Sequence, residues 1–190
     1  ITHGAISANS LVYHSLISSG DNVVSIMPNY QQHYSIPASL GAEIKVVKLL
    51  PDKNFLPDMD HIKEALRSGA KLISLTNPNN PTGSLIQEDL LTRIVELAIT
   101  HDAYILCDEV YRGTIQNGSA YTTSICDLYT KGISTGSMSK TYSLAGLRLG
   151  WIAGSKDILE QIFRHRDYNT ISVGMINDHC ACLALENREK

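Results

Sequence analysis

The sequence predicts an α/β fold of three layers, α/β/α, built around a mainly parallel sheet. Three observations carry that prediction. Apolar runs of strand length alternate with longer stretches of helical periodicity along the whole chain. The strand runs are nearly continuous in apolar residues, the pattern of strands covered on both faces. The loop-rich segments follow the carboxyl ends of those runs, where open α/β sheets bind their ligands.

The elements follow in order. A helical pattern over 5–18 is followed by VVSIM (23–27), a buried strand. A second helix, 31–40, leads to EIKVVKL (43–49), whose partial alternation marks a strand less deeply covered. Helix 58–68 precedes the strand KLISLT (71–76). Helix 87–100 carries Leu90, Leu91, Ile94, Leu97 and Ala98 at helical spacing, and AYILCD (103–108) comes next. GISTGS (132–137) and RLGWIAG (148–154) complete the strands, and 156–168 and 173–187 read as helices. The loopiest segments are NPNNPTG (77–83) and RGTIQNGSAYTTS (112–124).

Composition narrows the function. The chain has 190 residues, enough for one domain with a sizeable core, and its 43% hydrophobic and 18% charged shares are those of a globular protein. A net charge of -3 gives no reason to expect a nucleic acid or an anionic membrane as partner. No apolar run reaches the length of about 18 residues a membrane helix needs. The start, ITHGAISANS, has no signal-peptide pattern and no initiator Met, and it reads as the middle of a fold, so a fragment is expected. Cys107, Cys126, Cys180 and Cys182 read as reduced thiols. Cys180 and Cys182 are two apart on a helix and diverge; no Cys/His pairing has zinc spacing, and no metal is expected.

The strand ends hold the candidates, each with a plain alternative. In NPNNPTG the prolines and glycine account for a tight turn, while an Asn amide is also suited to a ligand oxygen. Asp108 ends an apolar strand, where a carboxylate needs a partner: a helix N-terminus, a basic side chain, or a cationic ring nitrogen. Tyr111 is within reach of the same ligand, and Glu109 is expected to point away into the structure. Ser137, Ser139 and Arg148 are phosphate donors. Lys140 is preceded by Ser139, so the P-loop pattern fails; what remains is a solvated lysine, a phosphate ligand, or an amine nucleophile whose partial desolvation lowers its proton affinity. In HGAIS the small residues let helix N–H groups face an anion, or Gly4 is a turn glycine. Tyr30 either stacks on a flat ligand or packs on a helix. One ligand satisfies all the functional alternatives: flat, phosphorylated, with a carbonyl for the amine, a basic ring nitrogen and a phenolic oxygen. That is pyridoxal phosphate.

HGAISA (3–8), MPNY (27–30), NPNNPTG, DEVY (108–111) and SMSKTYSLAGLRLG (137–150), in this order and spacing, resemble the class I/II, fold-type I pyridoxal-phosphate aminotransferases. The resemblance covers essentially the whole chain. It implies the large, cofactor-binding domain over 1–190, with a sheet of about seven strands and with the N-terminal arm and C-terminal small domain absent. It implies that Lys140 forms the Schiff base and shuttles the proton, that Asp108 pairs with the pyridinium nitrogen, and that Asn80 and Tyr111 bond the phenolic oxygen. Tyr30 would stack on the ring. Ser137, Ser139, Arg148 and the backbone amides of Ala5 and Ile6 would hold the phosphate.

The implied activity is transfer of an amino group between an amino acid and a 2-oxo acid, in a cytoplasmic homodimer with its active site at the subunit interface. The arginine that grips the substrate carboxylate in this family would lie outside the chain. Other reactions on the same scaffold are a carbon–sulfur β-lyase and a cyclase of the kind that makes capreomycidine, to which the tail CACLALENREK is similar. A non-catalytic cofactor-sensing domain of a transcription regulator is the third reading.

Overall fold

A computed structural model describes residues 1–114 and 121–188. Six strands form one sheet in the order β2-β1-β3-β4-β5-β6. They are β1 (Asn22–Met27), β2 (Glu43–Lys48), β3 (Leu72–Thr76), β4 (Tyr104–Asp108), β5 (Gly132–Ser137) and β6 (Gly150–Ala153). The first five run parallel and β6 pairs antiparallel with β5. Beside β6, Thr2 and Gly150 exchange two backbone hydrogen bonds as an isolated antiparallel bridge. That single pair occupies the flank where another strand would bring the sheet to seven.

The helices are α1 (Gly4–Leu16), α2 (Gln32–Ser39), α3 (Met59–Leu66), α4 (Glu88–Thr100), α5 (Ile125–Leu128), α6 (Lys156–Arg166) and α7 (Met175–Glu186). Six match the sequence expectation to within three residues at each end. The short α5 was not expected, because its four residues are too few to show a period. Of the loop 112–124, positions 115–120 lie outside the described residues, as do the last two positions of the tail 180–190.

Successive strand residues feed opposite layers. Val24, Ile26, Ile73, Leu75, Ile105 and Cys107 pack with Ile62, Leu66, Leu91 and Ile94 of α3 and α4. Val23, Leu72 and Leu106 pack on the other side with Leu11, Val12 and Leu16 of α1 and Ile158 and Ile162 of α6. This period of two, with both faces apolar, is why the strand runs are continuous. Asp58 starts α3 by accepting hydrogen bonds from the Asp60 and His61 amides.

β5 has few large side chains yet is buried throughout. A Cβ on Gly132 would come within 2.4 Å of the Ile125 carbonyl oxygen, and one on Gly136 within 2.7 Å of the Trp151 ring. Close approach of neighbouring backbone and ring explains a strand written in small residues.

The first crossover leads outward from β1 to β2 and the next returns from β2 past β1 to β3, so the switch point lies between β1 and β3. The crevice beyond the carboxyl ends of these parallel strands is the expected ligand position. Met27, Thr76, Asp108 and Ser137 are the residues that end β1, β3, β4 and β5 there.

Candidate active site

The ends of β3, β4 and β5, the turn after β1 and the N-terminus of α1 surround a cavity of about 260 Å³. Its lining includes Ala5, Ile6, Tyr30, Asn80, Asp108, Tyr111, Ser137, Ser139, Lys140 and Arg148. Every candidate residue read from the sequence therefore borders one space. Asn9, Gln32, Thr76, Val110 and Ala145 border it too, and the sequence reading did not name them.

Asp108 is 3% exposed. Its Oδ2 accepts hydrogen bonds from Asn9 Nδ2 at 2.8 Å and His33 Nε2 at 3.3 Å, and its Oδ1 accepts from the Val110 amide at 3.0 Å. In all three contacts the carboxylate is the acceptor. The His33 tautomer follows from its other nitrogen. Nδ1 lies 3.0 Å from both the Tyr13 and Ser74 hydroxyls, which are 2.6 Å from each other. Burial raises the Tyr13 phenol well above its ordinary range, so it keeps its proton. One hydroxyl then donates to the other and the second donates to Nδ1, leaving Nε2–H to face Asp108.

The asparagines of NPNNPTG divide the work. Asn77 exchanges two bonds with the Ile86 backbone, and Asn79 Oδ1 accepts from the Thr82 amide and hydroxyl. Both are turn-forming. Asn80 takes part in none of these bonds and borders the cavity.

After β5 the chain turns sharply. The Ser139 amide donates to Ser137 Oγ at 3.2 Å, and Thr141 Oγ1 donates to the Arg112 carbonyl at 2.8 Å. The second bond fixes the lysine turn against the turn that carries Tyr111. Lys140 Nζ lies 5.9 Å from the centre of the Tyr111 ring. Lys140 is exposed, so the described residues do not supply the desolvation that the nucleophile reading invoked. Arg148, in left-handed backbone at φ 48°, turns its guanidinium toward the start of α1 and donates to the Ala145 carbonyl at 2.8 Å.

Gly4 sits at φ 71°, and a Cβ there would lie 2.8 Å from Arg148 Nη2. Replacing it by alanine combines left-handed strain with displacement of the guanidinium. A spectrophotometric titration of Gly4→Ala with pyridoxal phosphate is expected to show affinity about tenfold weaker, about 1.4 kcal/mol. Unchanged affinity would contradict a role for this corner in holding the phosphate.

Glu109 does point away from the cavity. Its carboxylate accepts from Ser124 Oγ at 2.8 Å and from the Ile125 amide at 2.9 Å, at the start of α5. Burial, the largest influence, raises its pKa above the ordinary 4.5. A carboxyl that binds its proton more tightly when folded stabilises the fold below its unfolded value and loses that contribution as pH rises through the raised one. Glu109→Gln is uncharged throughout. The stability of wild type relative to this variant is therefore expected to fall as pH rises from below 4.5 to neutral, read as urea midpoints at each pH.

Comparisons with known proteins show the family. Residues 1–174 match the family model "Aminotransferase class I and II", so the chain belongs to that family, whose cofactor is pyridoxal phosphate. A PLP-dependent aminotransferase structure from Streptococcus suis is 42% identical with a TM-score of 0.93, covering 99% of this chain and 50% of that one. Capreomycidine synthase of Streptomyces vinaceus is 29% identical over 99% of this chain and 48% of its own length. Aspartate aminotransferase of Pyrococcus horikoshii is 31% identical over 88% of this chain and 43% of its own. The chain spans about half the length of the relatives it matches. Among the described residues no helix is long and apolar enough to cross a membrane, and no cluster of His, Cys, Asp and Glu has the form of a metal site.

The donor set fits the cofactor. Hydroxyls, a guanidinium, residues of a helix N-terminus, a buried carboxylate held by donors and a primary amine all line the cavity.

Proposed function

We propose that this chain is the cofactor-binding large domain, over 1–190, of a transaminase that moves an amino group between an amino acid and a 2-oxo acid. The observation that carries the proposal is the gathering of Lys140, Asp108, Asn80, Tyr111 and Arg148 around one cavity at the carboxyl end of the sheet. In this reading Lys140 and Asp108 are the catalytic pair, with Tyr111 beside them.

Pyridoxal phosphate supplies an aldehyde that takes an amine and a cationic ring that draws electrons from the carbon losing its proton. The residues of the chain hold and orient it. Ser137, Ser139, Arg148 and the amides of Ala5 and Ile6 would hold the phosphate. Asp108 would hold the ring nitrogen's proton, Asn80 and Tyr111 the phenolic oxygen, and Tyr30, 42% exposed, would cover the ring face. Lys140 would bind the aldehyde covalently and, when released, carry a proton to and from the substrate carbon.

Homodimer assembly with the site at the subunit interface accompanies this reading, as does a cytoplasmic location; the four cysteines are free thiols. The family membership and the aminotransferase-named relatives favour amino transfer over lyase, cyclase or sensor chemistry.

The test is to incubate the cofactor-loaded protein with single amino acids and either pyruvate or 2-oxoglutarate. The expected result is a new amino acid formed in step with loss of the donor. Pyruvate and ammonia appearing without an acceptor, or a cyclised amino acid, would overturn the transaminase assignment.

A further inference from the structure

Asn9 is a polar residue on the buried stripe of α1, in register with Val12, Tyr13 and Leu16, and is 1% exposed. A buried asparagine costs stability unless its amide is bonded. Both ends are. Nδ2 donates to Asp108 Oδ2 at 2.8 Å, closer than the His33 contact on the same oxygen, and approaches Gln32 Oε1 at 3.3 Å. Oδ1 accepts from Thr135 Oγ1 at 2.6 Å. Thr135 is fully buried on β5, and Asp108 ends β4. The Asp108 carboxylate, which only accepts, fixes the sense of the amide, and the Thr135 hydroxyl secures it by donating to Oδ1.

We propose that Asn9 is a positioning residue for the cofactor: it holds Asp108 as an ionised acceptor aimed at the ring nitrogen, and Thr135 holds Asn9 in that orientation. This rests on the pyridoxal-phosphate reading above. A buried carboxyl and a pyridine nitrogen share one proton in one of two ways, as an ion pair or as a neutral acid and base. Burial disfavours the ion pair. Each donor on the carboxylate favours it, because it bonds the charged form. Besides Asn9, the groups turned toward Asp108 are the Val110 amide and His33, backed by Tyr13 and Ser74. Removing the shortest of these bonds shifts the proton from the ring to Asp108. The electron-withdrawing power of the ring falls with it, while the groups at the phosphate are untouched.

The experiment loads the protein with pyridoxal phosphate labelled with 15N in the ring and reads the nitrogen chemical shift by NMR. Wild type, Asn9→Leu and Thr135→Val are compared, each first shown to carry the cofactor on Lys140 by reductive trapping. Asn9→Leu keeps the size of the side chain and removes all three bonds; Thr135→Val removes only the hydroxyl that secures the amide. The expected result is a shift toward unprotonated pyridine in Asn9→Leu and a smaller one in Thr135→Val. A fall in kcat of about tenfold with little change in KM accompanies the first, as expected when about one charge-assisted bond is lost.

If Asn9→Leu does not fold, Thr135→Val alone decides. An unmoved nitrogen shift with the cofactor on Lys140 overturns the inference and leaves the cofactor reading intact. Absence of the cofactor from Lys140 in wild type overturns that reading and the inference with it.

Discussion

Replacing Lys140 by alanine is expected to abolish covalent capture of pyridoxal phosphate and to lower amino transfer by at least about a thousandfold. In the proposed function two roles are lost at once: the amine that would bond the aldehyde, and the base that would move the proton. A positioned general base alone accounts for about a hundred to ten thousandfold. Lys140→Arg is the sharper control. It keeps a cation over the Tyr111 ring, but a guanidinium stays protonated and makes no such bond. The arginine variant should therefore bind cofactor reversibly and behave like the alanine variant in turnover. Both readings come from absorbance after gel filtration and from single-turnover assays. An arginine variant with near-normal turnover would contradict the role given to Lys140.

Asp108→Asn is expected to lower turnover by about ten to a thousandfold, corresponding to one to three pKa units of lost support for the ring nitrogen's charge. It is also expected to destabilise the fold. The three groups that now donate to the carboxylate would face an amide, and one of them would meet the new NH2 group. A buried donor left without an acceptor costs about 1–3 kcal/mol. The two effects separate by measurement: the urea midpoint reads the second without cofactor, and kcat reads the first with it. A stability loss with unchanged kcat would make Asp108 a structural residue only.

The fold was legible because its strands are buried on both sides. Continuous runs such as KLISLT and AYILCD allow little else, and helices must then cover both faces. The antiparallel setting of β6 was not legible, because direction depends on how the chain returns after the lysine turn, not on the four residues of the strand. Four-residue α5 is likewise fixed by its tertiary partner, Glu109, which accepts from its first amide.

The candidate site was legible where chemistry departs from packing: a carboxylate closing an apolar strand, a lysine among small residues, adjacent asparagines at 79 and 80. Of that pair the structure assigns Asn79 to the turn and leaves Asn80 on the cavity. His33 and Asn9 were missed for one reason. Both are helical, and a helical side chain reaches a site through the packing of its helix, which sequence spacing does not give. Asn9 did leave a trace, as the polar residue on the apolar stripe of α1. His33 left less, three residues after Tyr30 among seven scattered histidines.

The most direct test of the account is to add pyridoxal phosphate, reduce with borohydride, digest the protein and locate the modification by mass spectrometry. The account predicts a pyridoxyl group on Lys140. A pyridoxyl group on another lysine, or none, would contradict it.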